Sequence, residues 1–133
     1  LIIAREFGAT QELTDIEIEP LISDELNDAK TIDDFLQRLP EMDTVFEEKI
    51  KQAKQQQKVL RLAGVINDQG KMAVQLLAVD ASHPLYSIRD GENAFSFTTA
   101  RYHPVPLVIR GYGAGADVTA AGVFGDILKT VVA

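Results

Sequence analysis

A β-type run, Leu107-Val108-Ile109-Arg110, passes straight into Gly111-Tyr112-Gly113-Ala114-Gly115, and a helical pattern starts at Ala116-Asp117. Alternating glycines let backbone turn sharply and lie close to a ligand. Asp117 or Thr119 is placed to cap the helix, which leaves its first N–H groups facing the glycine loop. Strand, loop and helix N-terminus form a cradle suited to a phosphate or to the polar edge of a cofactor. A plain strand–helix turn satisfies the same residues, and both readings stand at this level.

Taken literally, Gly111-x-Gly113-x-x-Ala116 meets the dinucleotide-binding fingerprint. The context rejects it. That fingerprint opens a βαβ unit with an acidic residue ~20 positions further on. Here one helix follows before Ala133, so the loop is expected to close a domain.

Composition narrows the class. With 133 residues, 46% of them hydrophobic, the chain reads as one domain with apolar side chains enough for a core. No run approaches the ~18 apolar residues of a membrane span, and no signal-peptide pattern opens the sequence. The lack of cysteine removes disulfide and cysteine–zinc frameworks and is compatible with a cytoplasmic protein. A net charge of −7 argues against nucleic acid, which requires a basic surface. Residues 1–57 carry 14 acids against 6 bases, and residues 58–133 carry 6 against 7. An anionic cofactor is better tolerated in the second half, where the glycine loop lies.

In chain order, Leu1 to Phe7 reads as the end of a helix stopped by Gly8, an opening expected of the tail of a larger protein. Asp15-Ile16-Glu17-Ile18-Glu19 alternates, predicting a strand with Ile16 and Ile18 inward and the three carboxylates on a solvated face. Residues 22–30 read as a polar loop. Thr31 with Asp34 forms a capping-box-like start for a helix through Leu39, and Pro40 opens a second one. In that second helix, to Gln57, Met42, Val45, Phe46, Ile50 and Ala53 make an apolar stripe. Two strands, 58–66 and 71–80, are joined by Asn67-Asp68-Gln69-Gly70 as a hairpin. Gly64 marks a bulge or a close backbone approach. His83 reads as a hydrogen-bonding loop residue. Strands at 93–101 and 105–110 follow, then a terminal helix with Ala121, Phe124, Leu128 and Val131 on one face. The order predicts an α+β fold, a mixed and mainly antiparallel sheet covered by helices.

Several blocks resemble one family. Leu1–Glu6, Asp15-Ile16-Glu17-Ile18-Glu19-Pro20, Lys58-Val59-Leu60-Arg61, Asp90-Gly91-Glu92-Asn93-Ala94-Phe95 and the long run from Pro106 through Phe124 are similar to the C-terminal part of homoserine dehydrogenases. The likeness is strongest to the type fused to aspartokinase, and it spans nearly the whole chain. It implies that residues 1–133 are part of a catalytic and dimerisation domain whose Rossmann domain lies elsewhere in the parent. It also implies a cytoplasmic oxidoreductase of threonine and methionine biosynthesis that interconverts homoserine and aspartate semialdehyde with NADP or NAD.

The family's catalytic lysine and substrate-binding carboxylates precede the helix that ends at Leu1–Glu6, so no catalytic residue and no metal ligand carries over. This chain alone is therefore expected to be inactive. The glycine loop, 111–117, does carry over: in the family it folds toward the nicotinamide end of the cofactor. The matching glycine is Gly115, with Gly113 and Ala114 beside it as the cofactor-binding residues the resemblance implies. Glu92 and Asn93 match a family block without a ligand assigned. A homodimer through this region is also implied. The competing reading is a non-catalytic binding or regulatory dimerisation module, in which the loop is only a turn.

Overall fold

The computed structural model describes residues 1–132. Its backbone falls into two compact units, Leu1–Asp80 and the segment from Ala81 onward.

In the first unit, helix α1 (Ile2–Glu6) stops at Gly8, whose φ is +86°. The Gly8 and Ala9 N–H groups donate to the carbonyls of Arg5 and Ala4 at 2.9 and 3.0 Å, which satisfies two end-of-helix acceptors. The region predicted as a polar loop contains a short helix, α2 (Asp24–Asn27). Ser23 Oγ caps it by accepting the Leu26 N–H at 3.3 Å, and Leu26 is fully buried. One turn is too short to show a period, which is why sequence pattern missed it. Helix α3 (Ile32–Arg38) starts as predicted, with Thr31 Oγ1 accepting from the Asp34 N–H at 3.1 Å. A 3-10 turn over Leu39–Met42 carries Pro40 near its start and leads into α4 (Asp43–Gln55).

Helix α4 ends before the predicted Gln57. Gln57 itself adopts a left-handed φ of +57°. Its N–H and that of Lys58 close back onto the carbonyls of Lys54 and Ala53. The same stop that glycine makes after α1 is made here by a residue with a Cβ, at a steric cost.

The sheet of this unit has the order β1–β3–β2, with β1 at Glu17–Ile18, β2 at Val59–Ile66 and β3 at Met72–Val79. Strands β2 and β3 pair antiparallel from Val59↔Val79 to Ile66↔Met72. The hairpin forms at the predicted residues: Asn67 Oδ1 accepts from the Gln69 and Lys71 N–H groups at 3.0 and 2.8 Å, and Gly70 takes φ +79°. Gly64 pairs with Val74 in unbroken register, so the expected bulge does not form, and nothing crowds its α-carbon.

Strand β1 pairs parallel to β3 and is shorter than predicted, because Leu13–Asp15 winds into a 3-10 turn held by the Asp15 carboxylate on the Glu12 N–H. Ile18 is 61% exposed rather than inward. The reason is which side the helices cover. α4 packs on β2, leaving Arg61, Ala63 and Val65 half-buried, while Leu62, Gly64 and Ile66 on the opposite face stay exposed. Through Gly64↔Val74 and Ile18↔Val74, Ile18 lies on the side of Leu62 and Ile66, where Met72, opposite Ile66, is nonetheless buried. Among the described residues the buried apolar ones, Ala4, Leu26, Ala53, Met72 and Val79, all belong to this unit.

The second unit is a two-stranded antiparallel ribbon, β4 (Glu92–Phe97) with β5 (Leu107–Tyr112), followed by α5 (Ala116–Val132). The four later strands therefore make parts of two sheets rather than one. The Phe95 and Phe97 rings stack with centroids 6.4 Å apart. The predicted apolar face of α5 is present in the sequence but uncovered, with Phe124 61% and Val131 76% exposed. Helical cover is thus seen on the first sheet, and the architecture is α+β with mainly antiparallel pairing.

The two helix stops lead to opposite expectations. Gln57→Gly should stabilise the chain and Gly8→Ala destabilise it, each by about 1 kcal/mol, because one relieves and the other creates a left-handed residue bearing a Cβ. Urea denaturation midpoints of the two variants check the signs.

Candidate functional site

Residues 113–115 leave β5 and deliver the chain to α5. The Gly115 carbonyl accepts the Thr119 N–H at 3.1 Å, so Gly115 takes the cap position that sequence reasoning gave to Asp117 or Thr119. Asp117 instead lies in the first turn, where its negative charge complements the helix dipole. Gly113, Ala114 and Gly115 are all exposed. Two of the three are glycines for different reasons.

Gly115 has φ +119°, a conformation that side-chain-bearing residues rarely adopt, yet an added Cβ there would meet nothing within 4 Å. The constraint is the backbone, and the space in front of it is open. At Gly113 the constraint is contact. A Cβ would collide with the Asn93 carboxamide nitrogen and lie 3.2 Å from Asn93 Cγ. Asn93 pairs with Gly111 across the ribbon, which brings its side chain over the loop two residues later.

The strand ends that hold this loop are joined by a polar network. Arg110 Nε and Nη2 donate to the two carboxylate oxygens of Glu92, the former at 3.1 Å. Its Nη1 and Nη2 also donate to Ser87 Oγ and the Ser87 carbonyl, both at 2.8 Å. Glu92 Oε2 further accepts the Arg89 N–H at 2.9 Å. The hydrogen bonds from Arg110, and after them the one from the Arg89 backbone, hold the Glu92 carboxyl below its ordinary pKa, and Glu92 in turn raises that of Arg110. A planar guanidinium gripping a carboxylate with two parallel donors is the directional form of ion pair, which a lysine cannot reproduce. Sequence reasoning noted Glu92 only as part of a family block. The partners Ser87 and Arg110 lie 23 positions apart, and no local pattern links them.

The other acids singled out earlier are engaged with protein partners. Glu17 pairs with Lys71 at 2.8 Å, and Glu19 accepts the Leu76 N–H at 2.8 Å with Lys49 at 3.8 Å. His83 Nδ1 accepts the Leu85 N–H at 3.1 Å within its loop. Among the described residues no group of three or more His, Asp or Glu side chains is arranged to hold a metal ion. No helix among them is long and apolar enough to cross a membrane.

Fold and loop together define an α+β protein segment, with one sheet face and one helix left uncovered. The sequence profile of homoserine dehydrogenase matches residues 1–128, and the chain belongs to that family. It is 48% identical over 131 residues to a bifunctional aspartokinase/homoserine dehydrogenase of Haemophilus influenzae, covering 98% of this chain and 16% of that protein. It is 39% identical over 130 residues to a homoserine dehydrogenase of Schizosaccharomyces pombe, covering 96% of this chain and 35% of that protein. A crystal structure of a Candida auris protein of unknown function superposes with a TM-score of 0.85 at 37% identity, over 96% of this chain and 36% of the other. The chain thus spans well under half the length of each of these relatives.

The lowered Glu92 pKa has a definite pH consequence. Its folded value lies below the unfolded one, so the Glu92–Arg110 pair contributes stability at neutral pH. That contribution is lost as pH falls below the ordinary carboxylate range of roughly 4.3 and through the lowered value. Carboxyl-detected NMR titration should give Glu92 a midpoint below that of exposed glutamates, and Arg110→Ala should return it toward the ordinary range.

Proposed function

We propose that this chain is the C-terminal part of the catalytic and dimerisation domain of a nicotinamide-dependent homoserine dehydrogenase, joined in its parent to an aspartokinase. The parent interconverts L-homoserine and L-aspartate 4-semialdehyde in the cytoplasm, on the route to threonine and methionine. The reading rests on family membership across residues 1–128 and on similarity to the fused enzymes.

In this reading the chain contributes a loop rather than a catalytic residue. Its catalytic lysine, substrate carboxylates and Rossmann domain lie in other parts of the parent. Gly113, Ala114 and Gly115 lie against the nicotinamide side of NADP or NAD, which accepts or donates the hydride when bound. The carrying observation is Gly115, whose φ of +119° strains any residue bearing a side chain while leaving open space before the backbone. An uncrowded glycine fits a loop that something else approaches. The loop's N–H groups and the start of α5 present donors to a polar cofactor edge, while Asp117 disfavours a phosphate directly at the helix end.

The test is made in the full-length protein that carries this chain. Gly115→Val should weaken binding of the nicotinamide nucleotide by about tenfold or more, with folding perturbed less, since a Cβ there strains the backbone by about 1–3 kcal/mol and enters ligand space. Gly122→Ala, in the following helix, should leave affinity unchanged. Fluorescence titration and thermal melting report the two effects separately. Parent-like affinity in Gly115→Val would assign the loop to a turn and favour the non-catalytic module.

The dimer is proposed on a different surface. Ile18, Leu62 and Ile66 are 61%, 54% and 41% exposed on one face of the first sheet, beside Val74 and Leu76. Exposed apolar side chains sharing one side of a sheet call for a partner, and pairing with a second copy is the commonest solution. Sedimentation velocity should show a dimer, and Leu62→Lys should shift it toward monomer. Monomer alone at high concentration would count against this face.

A further inference from the structure

The proposed contact between loop and nucleotide needs the loop to be held in one place, and the second unit offers no buried side chain among its described residues to do so. What it has instead is the polar network at the start of β4. Arg110 lies in β5 directly before Gly111, and three of its nitrogens are committed to Glu92 and Ser87. Glu92 opens β4, and its neighbour Asn93 is the side chain that stands against Gly113. A continuous path of contacts therefore runs from Ser87 through Arg110 and Glu92 to Asn93 and the loop.

We propose that Arg110 is a positioning residue for the nicotinamide nucleotide: it pins the start of β4, and Asn93, resting on Gly113, passes that placement to the glycine loop. The inference rests on the reading of residues 113–115 as the cofactor-contacting loop. It adds that the loop's position is set from the neighbouring strand. The missing Cβ of Gly113 is what admits the Asn93 carboxamide, so this glycine serves strand-to-loop contact, while Gly115 serves the open side.

The physical argument is geometric. A two-stranded ribbon is marginal in isolation. Directional bonds between ionised groups are stronger than neutral ones and hold a register that diffuse apolar contact does not. Lysine at position 110 keeps the charge but cannot hold Glu92 and Ser87 in one planar fork.

Arg110→Lys, Asn93→Ala and their double variant would be prepared in the full-length protein. NADPH and NADH affinities would be measured by nicotinamide fluorescence, together with the homoserine KM and the thermal midpoint. Each single variant should weaken nucleotide binding by about tenfold, while the homoserine KM moves by less than about twofold. The double variant should be no weaker than Arg110→Lys alone, because both act along one path. Parent-like nucleotide affinity in both single variants, with Gly115→Val still impaired, would overturn the positioning role and leave the loop reading standing. If Gly115→Val also binds as the parent does, the loop reading falls and this inference with it. Should Arg110→Lys fail to fold, Asn93→Ala, which alters an exposed side chain, decides by the same two results.

Discussion

The antiparallel ladder between β2 and β3 is the interaction on which the first unit depends. It runs unbroken from Val59↔Val79 to Ile66↔Met72, and it gives α4 a surface to pack on and β1 an edge to join. Two of the buried side chains, Met72 and Val79, sit at opposite ends of β3. Ladder hydrogen bonds fix the register, and the register decides which residues face α4 and which face outward. The exposure of Leu62 and Ile66 on the side away from α4 follows from the pairing that holds the unit together.

The second unit is ordered on another principle. Its strands carry Phe95, Val108, Ile109 and Tyr112, all largely exposed, so burial does not define the ribbon. Order comes from the ladder and from the Arg110 fork at the end where the glycine loop departs. This division suits a segment that presents apolar surface outward while keeping one loop defined.

Features that depend on neighbouring residues were legible in the sequence: the Gly8 stop, the Thr31 cap, the Asn67–Gly70 hairpin and the strand–loop–helix junction. Each has a local chemical cause. Features that depend on distant partners were not. Ile18 alternates correctly with Glu17 and Glu19, yet the face it occupies was decided by where α4 packs. Gln57 ends a helix in the left-handed conformation without being glycine, and β2 begins two residues later. Of the candidate site, the glycines themselves could be read, but Asn93 as the neighbour of Gly113 could not. That contact follows from a cross-strand register which only the folded ribbon supplies.

The Glu92–Arg110 contact joins residues 18 positions apart within one hairpin. Loop-closure entropy for so short a separation is small, and local pairings form early in folding compared with long-range ones. The frame around the glycine loop is thus built from contacts within its own stretch of chain.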